Sequence, residues 1–234
     1  MVVEEHFVPV KGLDIAPYAA AGDVGAVHHL IRYAWALECL ADLRDLAAHG
    51  VVDVACGAGY GSHAIAQRFP RARVVAVDYD RTAVDFAREN YRLPNLEFRH
   101  GDVTRWDETI GREAFGCVVS FDTIEHVSHR EIMMQNLVNH LRDDGALLLS
   151  TPCGGDVNNL SPQWVHHKIE YAAPSLFDFV SRYFRTVLRP DDGSLPHREV
   201  FDQLDGTGIT YLLKMNPLLC RGPVKVPNPY KQTR

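Results

Sequence analysis

The residues best suited to chemistry in this chain follow a run of valines. The segment VVDVACGAGYGS, residues 51–62, places Gly57, Gly59 and Gly61 directly after a predicted strand that carries one acid, Asp53. Glycines between a strand and a helix let the backbone approach a ligand closely, with N–H groups of the helix terminus pointing at it. The segment therefore predicts a ligand-binding loop.

The spacing of these glycines argues against a loop that binds phosphate. The dinucleotide fingerprint G-x-G-x-x-G would need its third glycine at position 62, where this chain has Ser62. A Walker loop would end in Gly-Lys-Ser/Thr, and the segment lacks that ending. A nicotinamide-dependent oxidoreductase on a similar sheet stays open as a less favoured class of enzyme.

Two further acids indicate an adenosine cofactor. Asp78 ends the second predicted strand, where its carboxylate can accept hydrogen bonds from two neighbouring ribose hydroxyls; capping the next helix is its alternative role. After the third predicted strand, Asp102 can accept a hydrogen bond from the exocyclic amine of adenine. The backbone N–H of Val103 is available to the adenine ring.

Apolar runs that alternate with helical periodicity predict the elements that position these residues. One apolar helical face extends from residue 24 to about residue 48, with room for one break, and further helices are predicted at 61–69, 81–91, 129–141 and 174–184. Strands without apolar–polar alternation indicate a parallel sheet covered on both faces. The fold class is therefore α/β, with a doubly wound, mostly parallel sheet of seven strands at residues 51–55, 73–78, 95–100, 115–121, 145–151, 185–188 and 208–215.

The chain divides into two parts in this interpretation. Residues 1–48 form an N-terminal arm and helical cap, whose first part wraps the surface or covers a site, and residues 49–234 form the main domain. Residues 152–173 are a substrate-side insertion, because α/β sheets bind ligands beyond the carboxyl ends of their strands. Residues 216–234 are a proline-rich C-terminal tail.

Composition limits the partners. The chain has 234 residues and a net charge of −6, which argues against a nucleic acid as partner. No apolar run reaches the roughly 20 residues that span a bilayer, and the first residues show no export signal. The five cysteines form no CxxC pair. We therefore expect a soluble, cytoplasmic protein that does not bind membranes, with the apolar N-terminal helix available for a homodimer contact.

The motifs taken together carry a resemblance to a known family. The series VVDVACGAGYG, VVAVDYD, FRHGDV, VSFDTIEHV and GALLLSTP, over about residues 50–152, resembles the class I S-adenosylmethionine-dependent methyltransferases. The flanking segments HHLIRYAWA and HHKIEY resemble a small-molecule subgroup with EHLxRYxxA and HxxEY or HxxEF at those places. The resemblance implies the Rossmann-like methyltransferase fold and S-adenosyl-L-methionine as the cofactor.

The same resemblance implies roles for individual residues. Arg32 is expected to pair with the methionyl carboxylate, Tyr33 to border the cofactor and Tyr79 to lie against adenine. Phe121 and Asp122 are expected near the methionyl and sulfonium end, although the subgroup more often has Glu where this chain has Asp122. The complete set of predicted cofactor-binding residues is Arg32, Tyr33, Asp53, Gly57, Gly59, Gly61, Asp78, Tyr79, Asp102, Val103, Phe121 and Asp122.

Transfer of a methyl group to a hydroxyl needs a base, and two segments near the predicted acceptor pocket contain histidine. His126 in DTIEHV and His167 in WVHHKIEY are the candidates, with Glu170 orienting one of them or binding a polar substrate group. Structural hydrogen bonding is the alternative role of all three. Zinc ligands usually come in tighter sets than these histidines and Cys153 provide, so the sequence predicts no metal.

The acceptor is expected to be a small molecule, most simply a hydroxyl oxygen of a natural product or sugar. Trp164, Tyr171, Phe177 and Tyr18 are predicted to line a mainly apolar acceptor pocket. Methylation of nitrogen or carbon stays open, as does a protein that binds the cofactor without methyl transfer, such as a cyclase or an interaction module.

Overall fold

A seven-stranded sheet forms the centre of the molecule. The computed structural model describes residues 6–10, 12–202 and 214–225. The strands are β1 (Val51–Val54), β2 (Val74–Asp78), β3 (Leu96–His100), β4 (Phe115–Phe121), β5 (Leu141–Ser150), β6 (Phe184–Leu188) and β7 (Leu218–Pro223). Their order in the sheet is β3-β2-β1-β4-β5-β7-β6, with β1 to β5 parallel and β7 antiparallel to both of its neighbours. The predicted doubly wound, mostly parallel sheet is confirmed.

The helices cover both faces of this sheet, which explains why the central strands are apolar without alternation: every residue of β1 and β2 is buried. The α-helices are α1 (Ala16–Ala20), α2 (Val24–Ala41), α3 (Leu46–His49), α4 (Tyr60–Arg68), α5 (Arg81–Asn90), α6 (Trp106–Thr109), α7 (Arg130–Asn139), α8 (Ala173–Val180) and α9 (Glu199–Asp202). A 3-10 turn covers Val103–Arg105. None of the helices in the described ranges is long and apolar enough to cross a bilayer.

The N-terminal helix is part of the main core. The end of α2 and the short α3 show the single break that the periodicity allowed. Leu30, Ile31 and Trp35 are completely buried and belong to one hydrophobic cluster with Val119 of β4. This packing fixes the face of α2 that carries Arg32 over the carboxyl end of the sheet. The division of the chain at residue 48 stays a prediction.

The last strand differs from the prediction. Residues 208–213 of the predicted strand lie outside the described residues, and Lys214 and Met215 are helical. The seventh strand is instead β7, inside the segment predicted to be a proline-rich tail. Its apolar residues 218–220 are buried between β5 and β6, and Pro223 stands at the strand end opposite Phe184, where a missing N–H is tolerated. Residues 226–234 of that tail lie outside the described part.

The order of the strands places the ligand site. The chain leaves β1 toward β2 on one side and reaches β4 on the other, so the connections reverse direction between β1 and β4. Ligands of open α/β sheets bind at such a switch point, beyond the carboxyl ends of the strands. The glycine loop after β1, Asp78 at the end of β2 and Asp122 directly after β4 all lie there.

Candidate functional site

A large cavity opens at this switch point. Its volume is about 940 Å³, and it extends from the glycine loop to the segment before α8. The predicted site residues that line it are Arg32, Tyr33, Gly57, Asp78, Tyr79, Asp102, Val103, Phe121, Asp122, His126 and His167. Of the remaining predicted residues, Asp53, Gly59, Gly61 and Glu170 lie behind this lining. The structure thus brings together residues from α2 and from the ends of, or the loops after, β1, β2, β3, β4 and β5.

The three glycines of the loop have different structural roles. Gly57 lines the cavity with a φ of 53°, and its N–H donates to the Asp78 carboxylate at 2.7 Å. A Cβ on Gly59 would lie 2.6 Å from the Phe98 ring, and a Cβ on Gly61 would lie 2.1 Å from the Tyr33 ring. Gly59 and Gly61 therefore make room for aromatic side chains behind the loop, and their contacts with the cofactor stay predictions.

Asp53 lies buried behind the glycine loop, and its contact with the cofactor stays a prediction. The residue is completely buried and accepts hydrogen bonds from the Ser62 hydroxyl at 2.6 Å and the Tyr33 hydroxyl at 3.1 Å. These bonds tie β1 to α4 and α2. Burial raises the pKa of Asp53 to about 7, although hydrogen bonds from Ser62 and Tyr33 work in the opposite direction.

This raised pKa predicts a pH-dependent stability. The unfolded chain releases the Asp53 proton near its ordinary pKa of 3.8, whereas the folded chain holds it to about 7. Between these values the folded state binds more protons, so rising pH favours unfolding. We expect Asp53→Asn to remove on the order of a few kcal/mol of the stability loss between pH 4 and pH 7, since one pKa unit corresponds to about 1.4 kcal/mol.

Urea denaturation of both proteins across this pH range measures the difference in slope. Asp85→Asn, at an exposed helix position, is the control and should keep the slope of the unmodified chain. An Asp53→Asn protein whose stability falls as steeply as that of the unmodified chain would contradict the assignment.

Asp78 presents a carboxylate to the cavity from the end of β2. One of its oxygens accepts the Gly57 N–H and the other accepts the Asp80 N–H at 2.8 Å, so the carboxylate is held in a fixed orientation. Each oxygen keeps a further lone pair for a ligand hydroxyl. Beside it, Tyr79 is 74% exposed, which leaves an open aromatic face at the rim. A polar group next to an open ring suits a ribose and an adenine.

A charged pair closes the other end of the glycine loop. Arg32 of α2 is buried and bonds to Asp122, and His29 lies 3.7 Å from the same carboxylate. Within the described residues, Nε of Arg32 and Oδ1 of Asp122 are buried and have no hydrogen-bond partner. A ligand with an acceptor and a donor would satisfy both, and the carboxylate and ammonium groups of an amino acid provide them.

The backbone explains the presence of aspartate at position 122. Its φ is 47°, in the left-handed region that Asp tolerates better than most residues. Ala55, before the glycine loop, also has a positive φ of 57°. Non-glycine residues in this region store local strain and cluster at functional sites. The two positions flank the cavity at the ends of β1 and β4.

Histidines and acids from the segments after β4 and β5 form another side of the cavity. The rings of His126 and His167 meet edge to face with centroids 4.8 Å apart, and Nδ1 of His167 lies 2.9 Å from the Glu170 carboxylate. Glu170 is not among the residues that line the cavity, and its carboxylate contacts the His167 ring. Its two predicted roles, orienting a histidine or binding a polar substrate group, stay predictions. Burial, followed by the neighbouring His167, lowers the pKa of His126.

Sequence reasoning missed Glu125, which lies beside these histidines. It is completely buried, one carboxylate oxygen accepts the Thr151 hydroxyl at 2.7 Å, and burial raises its pKa to about 8 with a further contribution from Asp122. Its position in DTIEHV, between the predicted site residues Asp122 and His126, was the available signal, but Glu125 had no predicted partner. Its partner Thr151 follows the next strand of the sheet.

The apolar lining also differs from the prediction. Trp164 lines the cavity, whereas Tyr171 stacks on Phe179 in the core and Phe177 lies under the guanidinium of Arg189. Tyr18 packs edge to face on Phe7. Phe7 and the neighbouring His6 do line the cavity, so this part of the N-terminal arm forms some of its wall.

Comparison with known proteins agrees with this geometry. Residues 51–145 match a family described as a methyltransferase domain. Over 101 residues, which are 43% of this chain and 36% of the relative, the chain is 27% identical to the malonyl-[acyl-carrier protein] O-methyltransferase of Bacillus cereus. Over 115 residues, 49% of this chain and 43% of the relative, it is 34% identical to the trans-aconitate 2-methyltransferase of Paracidovorax citrulli. Residues 51–145 therefore carry a methyltransferase domain similar to those of S-adenosylmethionine-dependent methyltransferases.

The chain thus spans well under half the length of these two methyltransferases. A solved coclaurine N-methyltransferase bound to N-methylheliamine and S-adenosylhomocysteine shares the fold, with a TM-score of 0.56 and 15% identity over 80% of this chain and 71% of that one. The cofactor of the family is S-adenosylmethionine. The donor set of the cavity fits it, because Asp78 can take ribose hydroxyls and the unpartnered atoms of Arg32 and Asp122 can take the methionyl group.

Proposed function

We propose that this protein transfers a methyl group from S-adenosylmethionine to a small molecule, at a hydroxyl oxygen of a natural product or sugar. The observation that carries the proposal is one cavity that joins the Asp78 carboxylate, the Arg32–Asp122 pair and the His126–His167 pair. The first two sets suit the two ends of the cofactor, and the histidines suit an acceptor that must lose a proton. The cited relatives include an O-methyltransferase.

Each end of the cofactor has its own residues in this proposal. Asp78 binds the ribose hydroxyls, and Arg32 and Asp122 bind the methionyl carboxylate and ammonium. Gly57, Tyr33 and Phe121 border the part of the cofactor that links the ribose to the methionyl end groups. The adenine ring lies among Tyr79, Asp102 and Val103, which line the cavity together. The Asp102 carboxylate has one oxygen engaged by the N–H and the hydroxyl of Thr104, which fixes its direction.

The chain's own groups orient the acceptor and manage its proton. When bound, S-adenosylmethionine would supply an electrophilic methyl group for in-line transfer to the acceptor oxygen, with its thioether as the leaving group. Glu170 holds Nδ1 of His167, so the Nε2 atom of that ring is available to accept the hydroxyl proton. Phe7 and Trp164, on the two sides of the cavity, exclude water from the reacting groups.

An assay with labelled cofactor tests this function and its alternatives. The protein is incubated with S-adenosylmethionine tritiated in the methyl group and a panel of hydroxylated natural products and sugars, with amines, trans-aconitate and malonyl-[acyl-carrier protein] as further acceptors. We expect label in an oxygen-methylated product, located by mass spectrometry. Label on nitrogen or carbon would move the assignment to that atom. No transfer by a protein that binds S-adenosylhomocysteine would favour a cyclase or an interaction module.

Other properties are proposals of the same kind. A cytoplasmic location and a homodimer rest on the sequence alone. Gel filtration with light scattering measures the oligomeric state, and a monomer at micromolar concentration would contradict the dimer.

A further inference from the structure

We propose that Glu125, His126 and His167 bind a divalent transition-metal cation beside the acceptor. One ligand atom of each residue can be chosen so that all three atoms lie within 4.8 Å of one another. The three residues line the cavity that the proposed function assigns to cofactor and acceptor. The role of the cation in catalysis rests on that proposed function, whereas its binding does not.

Glu125 supplies the strongest indication of a ligand. The residue is completely buried, and within the described part of the chain its Oε1 has no hydrogen-bond partner. Its other oxygen is held by the Thr151 hydroxyl, so Oε1 has a fixed direction, 4.0 Å from Nε2 of His126. A buried carboxylate oxygen without a partner is costly, and a cation would remove that cost.

His167 is oriented as a metal ligand is. Its Nδ1 lies 2.9 Å from Glu170, which fixes the ring and leaves Nε2 for coordination. Histidine ligands commonly donate their second ring nitrogen to a carboxylate in this way. Glu170 is itself held, because its other oxygen accepts from the Asn159 side chain at 3.2 Å and its backbone pairs with Asn159. The loop after β5 therefore presents an imidazole that is already in position.

The donor set selects the kind of cation. Two imidazoles and one carboxylate suit Zn²⁺, Fe²⁺, Co²⁺ or Mn²⁺, whereas Ca²⁺ and Mg²⁺ prefer sets made of oxygen. A tetrahedral ion with bonds of about 2.1 Å separates its ligands by roughly 3.4 Å, so rotation of the exposed His126 ring has to close the set. The open side of the cavity leaves a coordination position for a substrate oxygen.

This inference replaces the prediction that the protein binds no metal. Glu125 and His126 follow β4, whereas His167 lies in the long segment after β5. The three residues therefore do not form a compact metal-binding motif in the sequence. A bound cation lowers the pKa of a hydroxyl that it ligates. The hydroxyl proton then passes to water. The oxygen lone pair forms the new bond to the methyl carbon as the carbon–sulfur bond breaks and its electron pair goes to sulfur. In this arrangement Nε2 of His167 is a metal ligand, so water takes over the proton-accepting role that the metal-free proposal gives to that atom. The acceptor has an oxygen that can reach the metal.

Metal binding to the untagged full chain tests the site without an acceptor. After treatment with a chelator and its removal, Co²⁺ is titrated while visible absorption and bound metal per chain are measured. We expect one Co²⁺ per chain, with affinity at least about 100-fold lower in Glu125→Gln, His126→Gln and His167→Gln. Glu170→Gln should weaken binding roughly 10- to 100-fold, because it acts through His167. The control His129→Gln, in the same cavity, should match the unmodified protein.

The outcomes separate this inference from the proposed function. If Co²⁺ does not bind, or binds equally to the variants that still unfold cooperatively, the metal site is wrong. Should Glu125→Gln fail to fold, the two histidine variants at the cavity decide the question. Thermal stabilisation by S-adenosylhomocysteine, measured on the same samples, tests the cofactor site independently. Stabilisation without specific metal binding would overturn only the metal, and specific metal binding without stabilisation would overturn only the methyltransferase proposal.

Discussion

Gly61→Ala is expected to destabilise the folded chain by about 3–5 kcal/mol, the largest effect of any single methyl group in this account. Alanine normally stabilises a helix by up to about 1 kcal/mol relative to glycine, and Gly61 lies in the first turn of α4. Here the sign reverses, because the added Cβ would lie 2.1–2.4 Å from the Tyr33 ring.

The Tyr33 ring has no inexpensive way to move. It is buried, its hydroxyl donates to Asp53, and the rings of Tyr60 and Phe121 pack on it with centroids 5.5 and 5.2 Å away. Displacing it removes a hydrogen bond from a buried carboxylate and disturbs two aromatic contacts. Overpacking of about 1–3 kcal/mol and an unsatisfied buried group of similar cost make up the expected loss.

Urea denaturation of Gly61→Ala and Gly25→Ala checks this reasoning. Gly25 also lies in a first helical turn, and the nearest atom to its added Cβ is 3.7 Å away. We expect Gly25→Ala to equal or exceed the stability of the unmodified chain. If both variants unfold at the same urea concentration, the packing role of Gly61 is wrong.

Arg32→Gln is expected to weaken binding of S-adenosylhomocysteine roughly 100-fold, since hydrogen bonds to charged groups contribute about 1.5–3 kcal/mol each. It should leave binding of 5′-methylthioadenosine nearly unchanged, because this ligand has the adenosine part but no amino-acid group. The contrast between the two ligands, measured by calorimetry, isolates the methionyl end. It follows from the buried, unpartnered Nε of Arg32 beside the cavity.

The control for this experiment is a double variant in which both charges of the Arg32–Asp122 pair are removed. Arg32 and Asp122 are bonded to each other, so removing one charge leaves the other partly buried and destabilises the fold. Arg32→Gln combined with Asp122→Asn removes both charges, and its thermal unfolding shows whether the fold is retained. Equal loss of affinity for both ligands, in a protein that is folded, would show that Arg32 only supports the structure.

The sheet could be predicted from sequence because most of its strands have a local sequence signal. β1, β2 and β4 are apolar runs next to helices with their own periodicity, and they lie where the sequence placed them. β7 could not be predicted, because a short apolar run between prolines resembles a tail until β5 and β6 are present on either side of it.

The cofactor side of the site followed from residues at strand ends, but the packing behind the glycine loop could not be predicted. Gly61 and Asp53 have the residue types of a ligand loop, but both face Tyr33, which comes from a helix distant in sequence. The acceptor side was less readable. Glu125 and His167 meet only because the loop after β5 folds back over the sheet, and that loop has no periodicity to predict its course.

The most direct test of the central claim, that the cavity at Asp78 holds S-adenosylmethionine, is thermal unfolding with S-adenosylhomocysteine or NADH added. A ligand at 100 times its dissociation constant adds about 2.7 kcal/mol of stability. We expect S-adenosylhomocysteine to stabilise the unmodified chain and the control Asp85→Asn, Asp78→Asn to lose most of this shift, and NADH to give none. Stabilisation by NADH and not by S-adenosylhomocysteine would contradict the account.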